Sequence, residues 1–299
     1  MAKALSPTSW AMVLAALVAS CLPKDTRPPP AVLHTTISSD TPLSADTVAF
    51  TTTDGWDLSF EEVLLSVGRV SVEGDACIGY SDPDYARVVD LLRGSGQKVS
   101  EVYAIGPCEY DFELSSPHED SLLGAGVAER RKGFMRIPAS DPWVQGAGVS
   151  IYVQGRAERA GEEKRFSWAF RNRIDFSTCK ATVDGHLIDG VILQESGETT
   201  VDLTVFLSTL FQQSLSDGAA TWFEPFADAD NDENGEVTLE ELDNVPLEDV
   251  ETNDRYADAR QSWSTLGDYV YLGLYERVIR YRGNGTCELE IFPNDRVPQ

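Results

Sequence analysis

The sequence predicts a mainly β protein: a β-sandwich with one acidic helix-loop-helix insertion, closed by a short C-terminal helix and strand segment. Three observations lead there. Between residues 47 and 206, short runs of alternating apolar and polar residues recur between turn signals, the spacing of strands in two packed sheets. From Glu224 to Asp258 that pattern gives way to fourteen Asp and Glu against one basic residue, Arg255. Beyond it, Thr265 to Asp268 has the spacing of a capping box, a helix start. Hydrophobic residues make up 42% of the 299-residue chain, enough for a packed core and too many for wholesale disorder.

Taken in order, residues 1–20 read as a signal peptide. Lys3 gives a weakly positive start, and Trp10 to Ala19 form an apolar run. That run is shorter than the roughly 20 residues of a membrane-spanning helix, and it suits the core of a secretory signal. Val18-Ala19-Ser20-Cys21 follows and resembles a bacterial lipobox, with Val where Leu is more usual. The resemblance implies cleavage before Cys21 and lipidation of that residue. Leu22 lacks the Asp that retains enteric lipoproteins at the inner membrane, so the implied destination is the outer membrane. Residues 21–46, with Pro28-Pro29-Pro30 and many Ser and Thr, read as a semi-extended tether.

The sandwich is expected over 47–216. Leu64, Ser66, Gly68, Val70 and Val72 share one parity of a strand. Glu109 to Leu114 alternates acidic and apolar residues, as a half-buried strand does. Val149–Gly155 and Lys164–Phe170 read as two strands joined by a turn near Gly161, with further strands at His186–Leu193 and Thr199–Phe206. Tyr85 to Leu92 reads as a short helix. Leu65 to Val72 followed by Val88 to Leu92 resembles bacterial β-sandwich lipoproteins of unknown function, which implies a sandwich and no particular activity.

The C-terminal segment, 253–299, is expected to pack on the sandwich. Leu266 to about Arg280 reads as a helix with Leu266, Tyr269, Val270 and Leu274 inward, or else as paired strands. Gly283 to Gly285 marks a turn and Thr286–Phe292 a last strand. Asn284-Gly285-Thr286 matches a glycosylation sequon and is read as turn chemistry.

Charge and cysteines narrow the function. With 24 Lys+Arg against 49 Asp+Glu the net charge is −25, which repels phosphate and excludes nucleic acid as a partner. Setting Cys21 aside leaves Cys77, Cys108, Cys179 and Cys287. Four cysteines in an exported chain favour two disulfides, and sequence alone permits three connectivities. The expected pairs are Cys77–Cys108, which flank early strands, and Cys179–Cys287, which ties the C-terminal segment back. No close C-x-x-C spacing points to a cysteine metal site.

Within 217–252, Asp230-Asn231-Asp232-Glu233-Asn234-Gly235-Glu236-Val237-Thr238-Leu239-Glu240-Glu241 resembles an EF-hand calcium loop over all twelve positions. Calcium takes six to eight oxygens, and Asp230, Asp232 and Asn234 offer them at positions one, three and five. Gly235 at position six permits the sharp turn. Glu236 at position seven contributes through its backbone carbonyl, Thr238 at nine through a water, and Glu241 at twelve with both carboxylate oxygens. Val237 anchors the loop to a core or partner loop. Magnesium fits this ligand set less well than calcium. Phe223 and Phe226 fall on an entering helix limited by Pro225, and Pro246 stops the exiting one. The chain holds one such loop, where sensor EF-hands come in pairs, so calcium is expected to act as a structural clip.

No hydrolase, zinc-protease or nucleotide-binding motif occurs. Of the three His, His34 falls in the tether, His118 in a loop and His186 on a strand. Trp168 and Trp222 lie in apolar runs and read as core, while the remaining tryptophans leave room for a carbohydrate-stacking surface. The expectation is therefore a non-enzymatic, calcium-binding, lipid-anchored envelope protein with a cell-surface protein or carbohydrate partner. The alternative is a calcium-dependent hydrolase with scattered catalytic residues.

Overall fold

The computed structural model describes residues 27–44, 47–81, 83–136, 148–250 and 255–292. The leader, Cys21, Trp10 and Trp143 lie outside these. Along the chain run β1 (Ala31–Ser39), β2 (Val48–Thr51), β3 (Asp57–Glu73), β4 (Ile78–Gly79), β5 (Ala86–Asp90), β6 (Gln97–Leu114) and β7 (Leu122–Leu123). After helix α1 (Glu129–Arg136) come β8 (Ile151–Arg159), β9 (Glu162–Phe170), β10 (Arg173–Val183), β11 (His186–Asp189), β12 (Val191–Leu193) and β13 (Glu198–Val205). The acidic segment holds α2 (Glu224–Ala227), β14 (Glu236–Val237), α3 (Leu239–Asp243) and α4 (Leu247–Val250), and the chain closes with α5 (Leu266–Tyr269), β15 (Ile279–Tyr281) and β16 (Thr286–Phe292).

The protein is mainly β, and its strands are hydrogen-bonded into one curled 16-stranded sheet. Its longest path runs β14-β9-β8-β3-β6-β1-β13-β15, and β10 branches from β6 to carry β11 and β16. Two long strands cause the curl. β3 has 17 residues and β6 has 18. Straight, such a strand would extend roughly 60 Å at about 3.3 Å per residue, longer than the roughly 48 Å diameter of a domain this size. β3 bends instead at register shifts between Phe60 and Glu62 against β8, and between Gly68 and Ser71 against β6. Arg69, inside the second shift, takes a left-handed φ of 45°. An extra residue in one strand bends it and increases its twist, so β3 and β6 wrap the sheet over its own core. That core includes Trp56, Phe60, Tyr110, Phe166, Trp168, Phe211 and Phe223, all essentially without solvent exposure.

Several expected elements stand where the sequence puts them. β8 and β9 form a hairpin turning at Ala160 and Gly161, with φ 51° and 89°. Tyr110, Phe112 and Leu114 face inward on β6, whereas Glu113 is also buried, held by Arg69 and Arg173 at 3.3 and 3.2 Å. The expected strand His186–Leu193 divides into β11 and β12 at Gly190, where an added Cβ would lie 2.0 Å from the Cys108 carbonyl oxygen. The Thr265–Asp268 capping box forms, with Asp268 N–H donating to Thr265 Oγ1 at 3.0 Å. Leu266, Tyr269, Val270 and Leu274 are all fully buried. The helix changes pitch, passing from α5 through a π-turn at Val270–Leu274 to a 3₁₀ turn at Tyr275–Arg277, before the chain turns to strand at β15. Both expected disulfides are present, Cys77–Cys108 and Cys179–Cys287.

Two expectations are corrected. The tether does not extend to residue 46, because Ala31–Ser39 is β1, antiparallel to β6 and parallel to β13. Ala31, Leu33, Thr35 and Ile37 form its buried face, and the Thr35 hydroxyl is satisfied by Tyr110 Oη at 2.9 Å. A polar residue in an inward position, next to a proline run, hides that alternation. His34 accordingly faces outward on β1, 3.6 Å from Glu101. Tyr85–Leu92 is not a helix. Ala86–Asp90 pairs antiparallel with β3, and Asp90 then caps a 3₁₀ turn by accepting from Leu92 N–H at 3.1 Å. The β-branched Val88 and Val89 suit a buried strand once β3 supplies an edge. α1, for which the sequence predicts no element, buries Met135 against a small cluster with Leu64, Val88, Val149 and Tyr152.

Candidate metal centre

The acidic segment is fixed to the β2–β3 turn, to the end of β8 and to the aromatic core before its loop begins. α2 is a single turn, with Pro225 in its first positions. Its free N–H groups are capped from afar: Asp54 Oδ2 accepts from Phe223 N–H at 2.9 Å and from Glu224 N–H at 2.7 Å. Phe223 and Phe226 enter the aromatic core beside Phe166, Trp168 and Phe211. Glu224 accepts from Trp56 Nε1 at 3.0 Å and pairs with Arg159, whose guanidinium lies over the Trp56 ring. The Arg159 ion pair first, and the Trp56 bond after it, hold Glu224 below the ordinary carboxylate range against the opposing effect of burial.

The loop then folds around Asp230. Asp230 Oδ1 accepts from Asn234 N–H at 3.0 Å, and Oδ2 accepts from Gly235 N–H at 2.9 Å. Asp232 Oδ1 accepts from the same Asn234 N–H at 3.1 Å, and Asn234 Oδ1 accepts from Glu236 N–H at 2.6 Å. Gly235 has φ 81° with open space around it, so glycine is required there by the backbone turn and not by crowding. Glu233 also takes a left-handed φ, 57°.

Past the turn, β14 pairs parallel with β9, Val237 beside Phe166. Val237 is fully buried, and its carbonyl accepts from the Trp168 indole N–H at 2.9 Å. Of the two anchors the sequence allowed for Val237, the core is the one used. Glu241 ends the loop as the third residue of a capping box on α3. Thr238 Oγ1 accepts from Glu241 N–H at 3.2 Å, and Glu241 Oε2 accepts from Thr238 N–H at 2.8 Å. α3 ends at Asp243, ahead of Pro246.

Asp230, Asp232 and Glu241 each place a carboxylate oxygen within 4.8 Å of the others. Three oxygens no farther apart than that share a point within about 2.8 Å of each, close to a typical Ca–O distance of 2.3–2.6 Å, so one hard cation can reach all three. Asp230 is buried, Asp232 exposed and Glu241 half-buried. Asn234 sits beside Asp232 in the turn. The Glu236 carboxylate is exposed and stands outside the triad.

One contact had no counterpart in the sequence reading. Lys164 Nζ, on β9, lies 2.7 Å from Asp230 Oδ2, whose side chain has no solvent exposure. Burial opposes the charge on Asp230, but Lys164 and the Gly235 and Asn234 N–H groups outweigh it and hold its carboxyl below the usual range. The bond to Asp230 raises Lys164 in turn. Separations of 66 residues for Lys164 and about 170 for Asp54 put both contacts beyond any local pattern.

The three imidazoles have other company. His118 Nε2 is 3.1 Å from Arg69, and His186 is exposed at the start of β11. Trp168 is fully buried, as its apolar run predicts, whereas Trp222 is half-buried under the Arg255 guanidinium. Among the described residues, no helix is long and apolar enough to cross a membrane. No family model, curated protein or solved structure matches the chain.

Proposed function

We propose that this chain is an exported, lipid-anchored bacterial envelope protein whose 230–241 loop binds one calcium ion as a structural clip. Its role is binding or envelope architecture and not catalysis. The observation that carries the reading is the convergence of Asp230, Asp232 and Glu241 within 4.8 Å. They fall at positions one, three and twelve of a loop whose order of residue types resembles an EF-hand. The flanking helices, of four and five residues, are too short to open a groove, which favours a structural over a signalling ion. β14 takes the place of a partner loop by pairing with β9, and an ion would clip Asp230 and Asp232, ahead of β14, to Glu241 behind it. Two disulfides suit an oxidising compartment, and the anchor at Cys21 and the outer-membrane destination rest on the lipobox resemblance. We read the curl of the sheet as a sandwich-like closure of two faces over the shared core.

The test is thermal. A ligand that binds only the folded state adds about 2.7 kcal/mol at roughly 100 times its Kd. Calcium added to chelator-treated protein should raise its melting temperature, and Glu241→Gln should abolish most of that rise. Glu236→Gln should leave it nearly intact, because that carboxylate stands outside the triad. Identical melting in chelator and in millimolar calcium would refute the clip, and equal losses at Glu236 and Glu241 would overturn the loop register.

A further inference from the structure

The acidic loop has a cation of its own. Lys164 donates to Asp230 Oδ2 at 2.7 Å, and its side chain is only 16% exposed. The bond reaches the most buried carboxylate of the triad, at loop position one. Oδ2 already accepts from Gly235 N–H, and Oδ1 from Asn234 N–H, so the ammonium completes the set of donors around Asp230. A second carboxylate stands behind the lysine: Glu162, two residues earlier on the same strand, has Oε1 at 3.9 Å from Nζ and is 51% exposed. Lys164 thus stands between a buried acid inside the candidate site and an exposed acid outside it.

We propose that Lys164 is a built-in competitor that sets the affinity of this loop for divalent cations. In the absence of a metal ion its ammonium neutralises Asp230 and keeps that carboxylate in ligating position. When a divalent cation binds the triad, two cations meet at one carboxylate, and the ammonium moves out to Glu162. Binding therefore always includes the displacement of a good ion pair. The loop is left ordered without metal and weaker for metal than its own ligands would make it, which suits an environment rich in calcium. This inference rests on the calcium reading and concerns how that site is regulated.

The experiment uses the full chain, stripped with chelator and titrated with Ca²⁺ by calorimetry and with Tb³⁺ by luminescence sensitised through Trp168, whose indole is bonded to the loop carbonyl of Val237. Lys164→Met should bind Ca²⁺ about ten-fold tighter, because a like charge within a few ångströms of the ion is removed. It should also melt lower than wild type in chelator. Lys164→Arg keeps the charge and should stay within about three-fold of wild type. Glu162→Gln removes the outer partner and should weaken Ca²⁺ binding about two- to three-fold, and this exposed substitution decides the matter if Lys164→Met does not fold. Wild type that binds Ca²⁺, with Lys164→Met or Glu162→Gln unchanged or shifted the opposite way, overturns the competitor and leaves the calcium reading standing. Wild type that binds neither Ca²⁺ nor Tb³⁺ overturns both.

Discussion

At the scale of single residues, burial of charge is the main lever, and Glu276 shows it away from the loop. It sits on the 3₁₀ turn after the π-turn, with its side chain 12% exposed and Arg260 3.9 Å away. Burial pushes its carboxyl up to about 7, and Arg260 and Arg277 only partly oppose this. Between the ordinary value near 4.5 and about 7 the folded state holds a proton that the unfolded chain has lost. The native state binds more protons there, so stability falls as pH rises through that window and the cost is complete above it. Glu276→Gln should therefore gain on the order of 1–3 kcal/mol at pH 8 and little at pH 4.5. Urea unfolding at the two pH values measures this, and an equal gain at both would show that its ionisation is not the cause.

The element scale is set by how short helices are terminated. α3 has five residues, too few to persist on intrinsic propensity. It is held by the Thr238–Glu241 box at one end and by the fully buried Leu242 on its inner face. Thr238→Ala removes an N-cap, which costs about 1 kcal/mol. That loss should be seen in urea unfolding in the presence of chelator, since the cap bonds run between Thr238 and Glu241 themselves. If Thr238→Ala cost stability only in calcium, the box would matter as ligand positioning and not as a helix start. The sequence Thr-Leu-Glu-Glu carries the capping-box signature, but the same Glu241 reads first as the twelfth loop position. α2 is the opposite case: its cap is Asp54, and nothing in the local sequence reveals it.

At the scale of the molecule, two covalent features bound the fold. Cys179–Cys287 joins residues 108 apart and Cys77–Cys108 residues 31 apart. Cross-linking removes more unfolded-chain entropy for the longer loop, a difference of about 1 kcal/mol, within typical losses of 2–5 kcal/mol per native disulfide. Cys179→Ala/Cys287→Ala should accordingly lower the urea midpoint more than Cys77→Ala/Cys108→Ala. The reverse order would mean that native packing, not chain entropy, sets the difference. The proposed anchor gives a whole-molecule test as well: Cys21→Ser should move the protein from the membrane to the soluble fraction of an expressing bacterium. Unchanged fractionation would remove the lipoprotein reading.

What the sequence determined by itself is whatever a few adjacent residues dictate. The β8–β9 hairpin follows from alternation around Ala160-Gly161, the Thr265–Asp268 start from capping chemistry, and the order of oxygens from Asp230 to Glu241 from loop spacing. The tertiary structure decided what depends on partners far along the chain. Ala31–Ser39 has no fold of its own, and it is a strand because β6 and β13 offer it edges on both sides. Val88 and Val89 join β5 because β3 lies beside them. The acidic loop is placed by Asp54, Phe166, Trp168 and Lys164, all distant in sequence. Backbone hydrogen bonds in a sheet and charges in a core are satisfied only across such distances, so the curl, the seat of the loop and its internal cation become visible only when the chain is folded.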